Sequence, residues 1–208
     1  DGIRDSVASR GLGDVYKRQH LFEQLFETAR IIEQMVRTLQ ANFAKPLRIV
    51  CEWGNHGRLG RYGDGTYAGD NVDRMAYRIA QDRTKDLPVI WQHSEAWYQT
   101  FSIGNYHVLL VHGDEVKSFG GNVPAFGIMR KVNAWASGVI ADFNDCYMGH
   151  YHQNITMTLA NGGRVFVSGS IESDSEYAKE FVAATGKPSQ RLHFVNPDKG
   201  QVTAEYVV

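Results

Sequence analysis

The chain has 208 residues, with 22 Lys+Arg against 23 Asp+Glu, a formal net charge of −1, 43% hydrophobic and 22% charged residues. This composition excludes a wholly disordered chain, and the near-neutral balance leaves a local basic patch as the only electrostatic route to a polyanion. No apolar run approaches the roughly 18 residues of a membrane span. Two cysteines, Cys51 and Cys146, are too few for a disulfide framework, so a reducing, cytoplasmic compartment is expected.

Residues 9–19 read SRGLGDVYKRQ. This string back-translates to DNA resembling a sequencing-library adapter read through in frame. Residues 1–19 are therefore set apart as foreign and left out of the fold reasoning. The expected domain is 20–208, the C-terminal part of a longer protein.

Residues 20–43 carry Leu21, Leu25, Phe26, Ala29, Ile32, Val36 and Leu39 at three- and four-residue steps, which predicts an amphipathic helix. Pro46 ends it. Residues 47–53 (LRIVCEW) predict a buried strand, Gly54-Asn55-His56-Gly57 a turn, and the Gly- and Arg-rich stretch to Gly69 a surface loop. Asp70 or Asn71 caps a second helix over 70–83. Strands are predicted at 89–92, 98–103 and 106–111, the last two joined by a Gly104-Asn105 hairpin turn. A helix at 123–136 precedes a short strand at 146–148. A hairpin of 155–159 and 164–167, a helix at 173–184, and a hairpin of 191–195 with 202–207 complete the pattern. Mixed strands, hairpins and crossovers predict an α/β layered sandwich.

Three motifs each put a possible metal ligand at a turn directly after a strand: Gly54-Asn55-His56, His112-Gly113-Asp114, and Gly149-His150-Tyr151-His152. Sites in open α/β sheets collect beyond the carboxyl ends of strands. Neighbouring strands would bring Asn55, His56, His112, His150 and His152 together. Imidazole ligates zinc, iron, nickel or manganese, and an amide oxygen adds a hard donor. Strand alternation would turn the rings of His150 and His152 to one side.

The ordered set GNH, HG, GHYH resembles the second half of the calcineurin-like metallophosphoesterase superfamily. Its full pattern is D-x-H, G-D-x-x-D, G-N-H-D/E, a lone H followed by G, and G-H-x-H. The resemblance runs from His20 to about Ser170, and the Arg- and Gly-rich loop after GNH resembles phage-type members. It implies an α/β/β/α sandwich truncated at its N-terminus. It also implies two divalent ions (Mn, Fe, Zn or Ni) activating a hydroxide that attacks a phosphodiester or phosphomonoester. By the resemblance, Asn55, His112 and His150 ligate one ion and His152 the other. His56 donates to the phosphoryl oxygen or leaving group, and Asp114 is a candidate to orient His112.

The sequence departs from the pattern in two places. Gly57 stands where the family has an acid, and no D-x-H occurs in the 208 residues. Without the bridging carboxylate, two cations repel at short range with little to screen them. The chain as written is expected to be inactive and its parent protein active. Arg58 and Arg61 are candidate phosphate contacts, since guanidinium suits phosphate oxygens. The expected partner is a phosphoester substrate, with nucleotides and nucleic acid among the candidates, and no membrane partner. Two other readings stand beside this one: a degenerate, metal-free fold serving as a binding or scaffold module, and a mononuclear zinc hydrolase using His112, His150 and His152.

Overall fold

The computed structural model describes residues 20–59, 70–117, 123–171 and 187–208. The chain divides into two compact units, Asp1–Trp97 and Tyr98–Val208. It is a mixed α/β fold, as the alternation of elements predicts.

In the first unit, helix α1 (Leu21–Asn42) leads into strand β1 (Leu47–Cys51), helix α2 (Val72–Arg83) and strand β2 (Val89–His93). The Glu23 carboxylate accepts the His20 N–H at 2.9 Å and closes the start of α1. Ala29 and Val36 are its fully buried positions, and α1 packs along α2. Past the last turn, Gln40 donates to the carbonyls of Phe43 (2.9 Å) and Lys45 (3.2 Å) and accepts from the Leu47 N–H (3.2 Å), so one side chain shapes the path into β1. Arg37 of α1 reaches the carbonyl of Arg83, the last residue of α2, at 2.6 Å and Asp86 just beyond it at 2.9 Å. β1 and β2 pair in parallel, Leu47 opposite Val89 through Cys51 opposite His93.

The second unit holds a five-stranded mixed sheet in the order β3-β4-β5-β7-β6. Its strands are β3 (Tyr98–Ile103), β4 (Tyr106–Val111), β5 (Asp145–Met148), β6 (Ile155–Thr158) and β7 (Arg164–Val167). The hairpins β3–β4 and β6–β7 are antiparallel, as their turn residues predict. β4, β5 and β7 run parallel at the centre. Central parallel strands are covered on both faces and read as continuous apolar runs. Accordingly Val108, Leu109, Val111, Cys146, Met148, Val165, Phe166 and Val167 are all buried, the Val, Leu, Met and Phe side chains each worth about 1.5–3 kcal/mol. Helix α3 (Ala125–Ala134) contributes Ile128 and Val132 to this core. It starts two residues later than the periodicity predicts and ends in a wide turn, Trp135–Val139, where Gly138 takes φ 99°.

A terminal hairpin, β8 (Arg191–Asn196) and β9 (Gln201–Val207), closes the unit. Its polarity is inverted. Arg191 and His193 retain only 6% and 7% side-chain exposure, whereas Leu192, Phe194 and Tyr206 stand out at 48%, 56% and 54%. The covered charges have partners inside: Arg191 pairs with Glu205, and Arg164 and Arg191 lie over Phe166 with guanidinium carbons 4.8 and 5.4 Å from its centroid. Tyr147 bonds His193 Nδ1, and Tyr106 donates to Asp145 at 2.7 Å. The predicted helix at 173–184 lies outside the described residues.

Candidate metal centre

The GNH motif sits at the end of β1 as one turn of 3-10 helix, Asn55–Gly57. The start of α2 holds it from behind. Asn71, 1% exposed, caps the helix by accepting from the N–H groups of Asp73 (2.9 Å) and Arg74 (3.3 Å) and donates to the Gly54 carbonyl at 3.0 Å. Asp73 accepts the Gly54 N–H at 2.9 Å. Tyr77 of α2 donates to the Glu52 carbonyl at 3.0 Å. The strand end and its turn are thus pinned on both sides of Gly54.

This packing also gives Gly57 a reason. A Cβ there would stand 2.3 Å from Asn71 Oδ1 and 2.7 Å from the Asp73 carboxylate. An acid, which the resembled pattern carries at this place, would collide with the helix cap. Arg58 forms an isolated bridge with Asn71, and its guanidinium lies over the Trp53 ring at 5.7 Å. Arg61 lies outside the described residues.

The other two motifs lie in the second unit, at the carboxyl ends of adjacent parallel strands. Val111 and Met148 are paired in register, so His112 and the Gly149-His150 turn emerge side by side. The Gly149 N–H continues the ladder, donating to the His112 carbonyl at 2.9 Å. The two rings meet edge to face, centroids 5.0 Å apart, with His150 Nδ1 3.2 Å from His112 Nε2.

His150 and His152 do not continue the strand. Both take left-handed backbones, φ 63° and 55°, at a cost of about 1–2 kcal/mol each for an L-residue. Strand alternation therefore does not place their rings; a pair of strained turns does. Such strain collects at functional sites. Gly113, at φ 120°, is needed beside them, since a Cβ there would approach the His150 Cβ to 3.1 Å.

The carboxylate seen on this loop's backbone is that of Glu115, which the motif reading does not single out. Its Oε2 accepts the Gly113 N–H at 3.0 Å, and Lys131 donates to the Glu115 carbonyl. Burial, reinforced by the nearby Asp114 charge, pushes the Glu115 carboxyl up to about 7. The second unheralded residue is Tyr151, whose hydroxyl donates to the Gly113 carbonyl at 3.0 Å and whose ring lies 4.9 Å from that of His150.

The histidine pair suits a cation. Two imidazoles bound to one tetrahedral zinc at about 2.0–2.1 Å stand about 3.3–3.4 Å apart. The observed 3.2 Å meets that spacing, and without a cation the same contact is an N–H···N hydrogen bond. Among the described residues, no group of three or more His, Cys, Asp or Glu is placed to hold a metal. His112 and His150 form a pair, and His152 does not complete a trio with them. Asn55 and His56 belong to the first unit, and His112, His150 and His152 to the second.

No family model matches the sequence, and no curated protein matches it. Among solved structures, the chain is similar to a single-substitution variant of Vps29 from Entamoeba histolytica, at 15% identity and TM-score 0.44, covering 86% of this chain and 88% of that one. Wild-type Vps29 from the same organism, in complex with zinc, is similar at 17% identity and TM-score 0.38, covering 62% and 74%. An archaeal phosphodiesterase is similar at 12% identity and TM-score 0.40, covering 83% and 74%.

Proposed function

We propose that the chain is the second half of a metal-dependent phosphoesterase acting on phosphodiester or nucleotide substrates. The supporting observation is the His112–His150 pair: two imidazole nitrogens 3.2 Å apart at the carboxyl ends of adjacent parallel strands, one of them on a left-handed backbone. His112 and His150 would hold one divalent ion (Mn, Fe, Zn or Ni), and His152 would serve the second; Asn55 stays a ligand candidate on the resemblance alone. The carboxylates of D-x-H and G-D-x-x-D would come from coding sequence upstream of His20. Bound there, the ions would supply the positive charge that lowers the pKa of water and stabilises charge developing on the phosphoryl group.

The chain's own residues have separate tasks in this reading. His56 sits on the turn that Asn71 and Asp73 brace, and donates a proton or hydrogen bond to the phosphoryl or leaving oxygen. Arg58, backed by the Trp53 ring, and Arg61 bind non-bridging phosphate oxygens. Cys51 and Cys146 are buried free thiols, and burial pushes Cys51 up to about 12. Both are inert packing groups suited to a reducing, cytoplasmic setting. No helix among the described residues is long and apolar enough to cross a membrane.

Among the described residues no three-ligand acidic or histidine group is placed to hold a metal, and this leaves a second reading: a phosphoesterase-like scaffold that binds a partner without catalysis. Hydrolysis of bis-p-nitrophenyl phosphate with Mn2+ added separates the two. The protein with its upstream motifs restored should hydrolyse it, and His150→Ala should abolish the activity. An inactive restored protein, or an undiminished His150→Ala variant, rules the enzyme reading out.

A further inference from the structure

The residue between the two left-handed histidines does more than space them. Tyr151 ties the GHYH turn to the HGD loop alongside the His112–His150 contact. Its hydroxyl donates to the Gly113 carbonyl at 3.0 Å, while the Gly113 N–H is held by Glu115 at 3.0 Å. The N–H and the carbonyl of Gly113, which belong to successive peptide units, are therefore both held. The Tyr151 N–H also donates to the Gly149 carbonyl at 2.7 Å, tightening the turn on which His150 sits. Its ring meets that of His150 edge-on at 4.9 Å. The missing side chain at Gly113 lets these parts close up, since a Cβ there would press on His150 Cβ (3.1 Å) and the Tyr151 ring (3.4 Å).

We propose that Tyr151 is a positioning residue, which fixes the His112–His150 pair at its cation-ready spacing by bonding the Gly113 carbonyl across the two loops. The function rests on the assignment of His112 and His150 as ligands; the positioning itself does not. A left-handed residue without such a brace relaxes towards the ordinary backbone regions. Relaxation of His150 would swing its Nδ1 away from His112 Nε2. Partners of this kind, one step removed from the ligands, orient metal-binding histidines and tune their affinity.

The test uses Tyr151→Phe in the 208-residue chain. The variant keeps the ring and removes the hydroxyl's bond to the Gly113 carbonyl, leaving the Gly149–His112 backbone bond between the loops in place. In the metal-free wild type, the ring 15N shifts of His112 and His150 should report one bridging nitrogen as donor and the other as acceptor. In Tyr151→Phe that distinction should collapse towards the tautomer average while melting stays cooperative. Zn2+ alone, titrated calorimetrically, should bind about fivefold more weakly, the equivalent of about 1 kcal/mol for one lost hydrogen bond. Unchanged 15N shifts in Tyr151→Phe overturn the positioning role, whatever zinc does. A wild type that binds no Zn2+ overturns the ligand assignment instead, and the shifts still decide the role of Tyr151.

Discussion

Replacing Asn71 by alanine should loosen the GNH turn and the start of α2 together. Asn71 is 1% exposed and makes three hydrogen bonds: it accepts from Asp73 N–H at 2.9 Å and Arg74 N–H at 3.3 Å, and donates to the Gly54 carbonyl at 3.0 Å. Loss of the helix cap costs about 1 kcal/mol, within a range of about 0.5–2. Leaving the Gly54 carbonyl without this donor in a buried position adds about 1–3 kcal/mol. The combined loss of about 3 kcal/mol corresponds to roughly 6–12 °C in melting temperature for a chain of this size. Asn71→Ser retains a capping oxygen but is too short to reach Gly54, and should recover about a third of the loss. Thermal melting followed by circular dichroism gives the total, and amide exchange at Gly54 and Asn55 reads the turn itself. An Asn71→Ala protein melting within about 1 °C of wild type, with unchanged exchange at Gly54, would refute the idea that α2 braces the turn.

Other outcomes follow from the same geometry. Asp145→Ala strips the partner from Arg164 (2.9 Å) and Tyr106 (2.7 Å) in a site where the carboxylate is 4% exposed. Breaking such a pair should cost about 3–5 kcal/mol, readable by thermal melting, and a loss under about 1 kcal/mol would mean the pair is dispensable. Gly57→Asp should destabilise the first unit, because its Cβ would stand 2.3 Å from Asn71 Oδ1. A variant as stable as wild type would show that the cap can shift aside. His193 supplies a pH dependence. Burial, then the Arg191 and Arg164 charges, hold its imidazole below the usual range. As pH falls, the unfolded chain therefore takes up the proton first, so stability is intact above about pH 6.5 and declines below it. His193→Gln should flatten that decline in melting scans between about pH 7 and 5; an equally steep decline in the variant would assign the effect elsewhere.

Much of the fold is legible in the sequence because its elements carry local signals. The apolar spacing from Leu21 to Leu39 marks α1, Asn71 caps α2, and Gly104-Asn105 joins β3 to β4. The parallel pairing of β4, β5 and β7 is foreshadowed by uninterrupted apolar runs such as VLLV and VFV. The inverted hairpin is not foreshadowed. Alternation would bury Leu192 and Phe194, but Phe166 and Glu205 hold Arg191 and Tyr147 bonds His193 on the inner face, a tertiary choice that no local pattern encodes.

At the candidate site, residue types and order point to His112 and His150. Their pairing needs the register of Val111 on Met148, which is a long-range fact. The reason for Gly57 appears only once Asn71 and Asp73 stand next to it. Tyr151 and Glu115 act through the backbone of Gly113, so nothing in their spacing advertises them. The left-handed backbones of His150 and His152 defeat the period-two argument for the same reason: a turn begins where the strand stops at Met148.

The central claim is that the paired imidazoles are cation ligands, and cobalt tests it most directly. Titrated with Co2+, the wild-type chain should take up one ion and develop visible d–d absorption from imidazole coordination, and His150→Ala should lose both. A chain that stays colourless, or one whose cobalt binding survives His150→Ala unchanged, contradicts the account.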